Sequence, residues 1–146
     1  MSDKRKPYYL YHIKTPLLNR NWNLIFADNM AEAFKENEEW HETFCELSEQ
    51  TDKGNNRETE SWLNQTTAFV VLLTKSNRLY MILPKNASHD LIAHEAFHLA
   101  LMIGKYKGLE LTDSSEEAYA YLLQHIVKTV NKWKKHMAKL DTENTK

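Results

Sequence analysis

Residues 67–84 read TAFVVLLTKSNRLYMILP, two apolar runs separated by Lys75-Ser76-Asn77. Thr67 to Thr74 is β-branched and almost continuously apolar, the composition of a strand covered on both faces. Arg78 to Leu83 reads as a second strand that Pro84 ends, and the short polar turn makes the pair a hairpin. Side chains alternate along a strand, so Arg78, Tyr80 and Ile82 share one face while Leu79, Met81 and Leu83 share the other. A hairpin with two apolar faces has to be covered by other parts of the chain.

Upstream, PYYLYHI from Pro7 reads as a short strand and NWNLIFA (Asn21 to Ala27) as a stronger one, followed by the turn pair Asp28-Asn29. From Met30 to about Leu47, the residues Met30, Ala33, Phe34, Trp40, Phe44 and Leu47 recur at helical spacing, giving a backing helix broken near Asn37. Residues 48–65 are polar, carry Gly54-Asn55-Asn56 and read as a solvated loop, with Trp62 and Leu63 fastening its end to the body.

Downstream come two helices. The first spans about 88–104, with Ser88 as cap, Asp90 favouring the dipole, and Gly104 or Gly108 as terminator. The second follows Thr112-Asp113-Ser114-Ser115 and runs over about 113–137. Its stripe is Tyr119, Leu122, Leu123, Ile126, Val130, Trp133 and Met137, and residues 140–146 read as a frayed tail. The expectation is a single α+β domain over 1–146: a small sheet, a backing helix and a helical C-terminal half.

Composition narrows the function. Lys plus Arg (19) nearly cancels Asp plus Glu (20), so no global field points to nucleic acid or a membrane surface. The single cysteine, Cys45, excludes an internal disulfide and a cysteine-based zinc cluster. The N-terminal MSDKRKPYYLYHIK lacks the apolar segment of a secretory signal, and no apolar run approaches the roughly 20 residues of a membrane span. The expected setting is the cytoplasm.

The chemistry lies in HDLIAHEAFHLALMIGKYKG, residues 89–108. His94-Glu95-Ala96-Phe97-His98 is an HExxH motif. Four-residue spacing on a helix stacks both imidazoles on one face, where they can grip one metal ion. Glu95, turned about 100° from His94, can take a proton from a water at that metal. With 7 His and 14 Glu, chance yields the motif about 0.03 times per chain. Leu91, Ile92, Ala93, Ala96, Phe97, Leu99, Ala100, Leu101, Met102 and Ile103 cover nearly the whole circumference, so the helix is expected to be buried all round. Two histidines and a glutamate placed there without partners would cost several kcal/mol as an order of magnitude. The other interpretation is three ordinary polar residues on an exposed helix face.

Catalytic zinc sites generally have three protein ligands and a water. Glu110, Asp113, Glu116, Glu117 and His125 are the downstream candidates, and SSEEAYAYLLQHI opens the second helix with Glu116-Glu117. Ser114-x-x-Glu117 and Asp113-x-x-Glu116 each fit a capping box, so either glutamate can serve helix-start amides instead. HEAFH followed about 18 residues later by a glutamate at a helix start resembles the gluzincin class of zinc peptidases. The run EEAYAYLL is closer to small phage and prophage HExxH proteins. In those families the ligand glutamate directly precedes an alanine, which selects Glu117. The resemblance covers about residues 67–126 and implies a minimal zincin-like fold. It also implies that one hairpin strand, Arg78 to Leu83, is an edge where an extended peptide docks. Two departures stand out. Tyr121 occupies the position of the aspartate that follows the ligand glutamate in thermolysin-like enzymes, and no equivalent of their distant oxyanion histidine can be placed.

Other residues have two readings each. His89 could line the mouth of the site or be a solvated first-turn residue. His125 could donate to an oxyanion or be a half-exposed helix histidine. Tyr119 and Tyr121 could bind a substrate carbonyl or belong to the core. Lys128, Lys132, Lys134, Lys135 and Lys139 form a basic face that suits an acidic partner or plain solvation. The leading expectation is a zinc peptidase: His94, His98 and Glu117 hold Zn2+, Glu95 is the base, and the partner is a peptide or protein. The alternative is a non-catalytic zincin-fold binding or regulatory protein, phage-encoded and acting in the host cytoplasm. A third reading is a helical interaction module without metal.

Overall fold

The computed structural model describes residues 6–29, 38–50 and 67–144. They form four strands and three α-helices: β1 (Tyr8–Thr15), β2 (Arg20–Ala27), α1 (Glu38–Gln50), β3 (Phe69–Leu73), β4 (Arg78–Pro84), α2 (His89–Tyr106) and α3 (Glu116–Asn144), with a 3-10 turn at Leu17–Asn19. The class is α+β, a four-stranded mixed sheet with three helices. The N-terminal part of the expected backing helix (residues 30–37) and most of the polar loop, with Trp62 and Leu63, lie outside the described residues.

The sheet order is β1-β2-β4-β3. β1 and β2 form an antiparallel hairpin from Tyr8↔Ala27 to Thr15↔Arg20, and β3 and β4 another from Phe69↔Ile82 to Leu73↔Arg78. The hairpins meet through a parallel pairing of β2 with β4, Asn23↔Tyr80 to Ala27↔Pro84. Arg78 to Leu83 is therefore a central strand, not the exposed edge that the resemblance implies. Leu79 to Leu83 are all buried, as are Leu24 to Ala27, because helices cover both faces of these two strands. Among the described residues β1 and β3 are the edges, and in β3 Val70, Val71 and Leu72 are only partly buried. An apolar run continuous enough for a central strand thus sits at an edge, with α1 and α2 both packing against it.

Strand parity sorts the core into two layers. Leu79, Met81 and Leu83 join Trp22, Leu24 and Phe26 on the face covered by α2 and α3. Tyr80 and Ile82 join Ile25, Ala27, Phe69 and Leu73 on the face where α1 inserts Leu47. This is the division that alternation along Arg78–Leu83 predicts. Gln50, the last residue of α1, reaches the β3 edge: its Nε2 donates to the Leu72 carbonyl (2.6 Å), and its Oε1 accepts from the Thr74 amide (2.8 Å). The turns use left-handed residues where the chain reverses, Asn77 (φ 58°) in one hairpin and Leu18 (φ 61°) with Asn19 (φ 44°) in the other. Asparagine tolerates that region; leucine does so at a cost. Leu18 offsets the strain by packing on the core beneath α3.

Ser88 caps α2 as its sequence predicts, accepting from the Leu91 amide at 3.1 Å, and Asp90 lies in the first turn. Of the two candidate glycines, Gly108 ends it. With φ 72° it closes a Schellman turn, in which Leu109 N–H bonds the Gly104 carbonyl (2.9 Å) and Gly108 N–H that of Lys105 (3.0 Å). Gly104 lies inside the helix and is buried where α3 crosses. A Cβ there would lie 2.1 Å from the Tyr119 hydroxyl oxygen, so the absence of a side chain sets how closely the helices approach.

α3 continues past the expected end near Met137 to Asn144, and residues 140–144 are not a frayed tail. Lys85, its side chain only 7% exposed, pairs with Asp141 and Asp28 (3.1 Å each) and donates to the Lys6 carbonyl. Asn144 Nδ2 donates to the Tyr9 hydroxyl (3.1 Å), and Leu140 packs on the core. Sequence periodicity cannot see these bonds because their partners lie more than 50 residues away.

Two stability measurements check this account. Gly104→Ala should lower unfolding free energy in urea by about 1–3 kcal/mol through overpacking, despite alanine's helix preference of about 1 kcal/mol. Gly108→Ala should cost about 1 kcal/mol through its backbone alone; the opposite ranking would contradict the notch. Ending the chain after Lys139 should cost about 1–3 kcal/mol. An unchanged urea midpoint would show that the last turn contributes nothing.

Candidate metal centre

α2 has three different sides. Ile92, Ala96, Leu99, Ala100 and Ile103 are buried toward the sheet and α3. His94 and His98 project from the opposite side and are exposed, as is Phe97 at 47%, while Leu91, Leu101 and Met102 are half-buried. The helix is not buried all round: the sheet takes one side and α3 a flank, leaving a third side uncovered among the described residues. Of the three motif residues only Glu95, 6% exposed, incurs a burial cost. Burial raises its carboxyl pKa above the ordinary value, while the nearby His98 and His94 pull it back.

The two imidazoles converge. Their Nε2 atoms are 3.2 Å apart, with ring centroids at 4.9 Å and planes at 74°. Two nitrogens bound tetrahedrally to one zinc at 2.0–2.1 Å stand about 3.3 Å apart. The separation of the pair is that of two ligands on one tetrahedral ion. The same spacing also serves a hydrogen bond between a protonated and an unprotonated ring nitrogen.

A third donor is not assembled with them: among the described residues no three His, Cys, Asp or Glu side chains cluster in a way that could hold a metal. Glu116 and Glu117 both lie in the first turn of α3 and are exposed. Neither expected capping box is used. Tyr119 N–H bonds the Ser115 carbonyl at 3.2 Å, placing Ser115 at the cap position, and its Oγ accepts from the Thr112 amide at 2.8 Å. Both glutamates are thereby released from capping, but they face different ways. Glu116 lines a cleft of about 420 Å3 together with Phe97 and Ala100 of α2. Glu117 lies on the flank of Tyr121, which is 57% exposed and borders a separate cavity with His125 and Lys128. The residue that packs α3 against α2 is Tyr119, buried against Gly104 with its hydroxyl donating to the Leu109 carbonyl. Tyr119 is a core residue.

His125 does not join the pair; its Nε2 is buried and has no hydrogen-bond partner among the described residues. His89 is exposed in the first turn of α2, and Cys45 is half-buried in α1. On the basic face, Lys134 bonds the Ala87 carbonyl and Lys132 lies 5.3 Å from the Trp133 ring centroid, while Lys128, Lys135 and Lys139 are exposed. The cleft between the α2 and α3 helices is the feature that sequence reasoning misses. Phe97 counts there as one more core residue, and its only sequence trace is Leu111, an isolated apolar residue in the acidic turn ELTD.

No described helix is long and apolar enough to cross a membrane. Comparison of the chain with protein-family models, with characterised proteins and with solved structures finds no match, so the function has to be argued from the site itself.

Proposed function

We propose that the chain is a zinc-dependent peptidase acting on a peptide or protein in the cytoplasm. The observation that carries this reading is the convergence of the His94 and His98 Nε2 atoms to 3.2 Å beside a buried glutamate. Zinc held there would supply Lewis acidity, polarising a carbonyl and lowering the pKa of a water. The chain's own part falls to Glu95, whose carboxylate accepts the proton of the attacking water and returns it to the leaving amine. Partial burial supports that role by raising the carboxylate's proton affinity, and the neighbouring imidazoles limit the rise.

The third donor comes from the first turn of α3. The resemblance to gluzincins favours Glu117, whereas the shared cleft with Phe97 favours Glu116. An extended substrate would add to β3, the edge strand of the hairpin that packs against α2, and not to β4. A second reading, a non-catalytic zincin-fold regulatory protein of phage origin, draws on the pairing of only two donors among the described residues.

Protein purified without chelators or nickel should carry about one zinc per chain by mass spectrometry. His94→Ala and His98→Ala should each abolish it, and EDTA should lower the melting temperature. Absence of stoichiometric zinc together with indifference to EDTA would remove both metal readings. Glu95→Gln should keep the metal and reduce hydrolysis of an unfolded protein substrate by about 10²–10⁴-fold; undiminished turnover would exclude Glu95 as the base. Between Glu116→Gln and Glu117→Gln, the true donor's variant should weaken zinc binding more than about tenfold. If neither variant does so, the third ligand lies elsewhere.

A further inference from the structure

The cleft between α2 and α3 has a floor and a rim of different chemistry. Its apolar lining, the floor, is made by Phe97, Ala100, Leu111, Tyr119, Ala120 and Leu123. Phe97 is 47% and Leu111 52% exposed, an uncommon pairing of large apolar side chains left facing solvent in one concavity. The rim carries two carboxylates, Asp113 and Glu116, and no lining residue is basic. Neither carboxylate forms an ion pair among the described residues. The surrounding sequence has one sign: from Leu109 to Val127 there are four acidic residues, Glu110, Asp113, Glu116 and Glu117, and no lysine or arginine. In a chain whose net charge is −1, that segment is a local negative field over an apolar hollow.

An all-apolar side chain would use the floor and leave the carboxylates to be desolvated without return. An acidic one would be repelled. A long aliphatic stem ending in a cation satisfies both parts, with its methylenes on the aromatic and leucine surfaces and its charge at the rim. The volume, about 420 Å3, falls in the range of ordinary ligand pockets.

We propose that this cleft receives the side chain of an arginine or lysine from a bound polypeptide. Phe97, the residue just before His98 in α2, forms part of the floor, so the subsite lies along the same helix that carries the histidine pair. That the peptide is also a substrate rests on the peptidase reading; that the cleft selects a basic residue does not.

The test measures binding and not turnover. The Ala100 and Ala120 methyl resonances of the full chain, carrying Glu95→Gln to prevent hydrolysis, are followed on titration with capped pentapeptides Ala-Ala-X-Ala-Ala. X is arginine, norleucine or glutamate. Arginine should bind at least about fivefold tighter than norleucine, and glutamate weakest, with the arginine advantage shrinking as salt rises from 0.05 to 0.5 M. In the double variant Asp113→Asn, Glu116→Gln, arginine and norleucine should bind within about twofold of each other. Leu111→Gln should weaken both. Norleucine matching arginine in the parent protein overturns the proposal, as does an arginine advantage that is insensitive to salt or that survives in the double variant. The salt titration needs no rim variant, so the proposal stays testable if one fails to fold. An arginine preference in protein that takes up no zinc sustains the cleft and counts only against the peptidase reading. In zinc-loaded protein that retains Glu95, cleavage indifferent to X overturns the cleft and leaves that reading standing.

Discussion

The approach of Tyr119 to Gly104 is the contact on which the rest of this arrangement depends. Tyr119 enters the space left by the missing Cβ and bonds its hydroxyl to the Leu109 carbonyl, just beyond the turn that Gly108 closes. One side chain thereby fixes the distance between α2 and α3 and the path of the loop joining them. The acidic start of α3 is held beside the helix that carries the histidines because of this contact. The cleft lined by Phe97 is what remains open above it.

The sheet supplies the rigidity this helix pair needs. Its two central strands are buried on both faces, and α2 packs on the layer made by Leu79, Met81 and Leu83. Ser88 starts α2 and Gly108 ends it, so the histidines fall in its second and third turns, away from both fraying ends. Their rings point outward, away from this packed layer. Among the described residues, that placement leaves the pair exposed, without the deep enclosure that its apolar neighbours suggest.

Most of the frame could be read from the residues, and the reasons for the failures are physical. The β3–β4 hairpin, its facing pattern and the Ser88 cap follow from local rules, since alternation, turn chemistry and capping act within a few residues. The order of strands does not, because an apolar run reports burial and not which neighbour supplies it. β3 looks central in sequence and, among the described residues, lies at an edge with helices packed against it. Apolarity around α2 overstated its burial for the same reason. Leu101 and Met102 are half-buried and Phe97 is open to solvent, although all three have the composition of core. At the site, four-residue spacing brings His94 and His98 together on one side of α2. Which first-turn carboxylate of α3 faces the pair depends on how two helices are rotated against each other, and the capping motifs that bear on this are displaced by Ser115.

Gln50 has a consequence for how the molecule behaves among other copies of itself. A strand edge that offers free carbonyls and amides is a template for any unfolded or neighbouring chain, and proteins commonly guard such edges with charge, proline or bulges. Here a neutral amide does the work of a strand fragment: one end donates to Leu72, the other accepts from Thr74, in the pattern a paired backbone would offer. Among the described residues the Leu72–Thr74 stretch of this edge is thereby satisfied from within the chain, so a strand adding there would first have to displace Gln50.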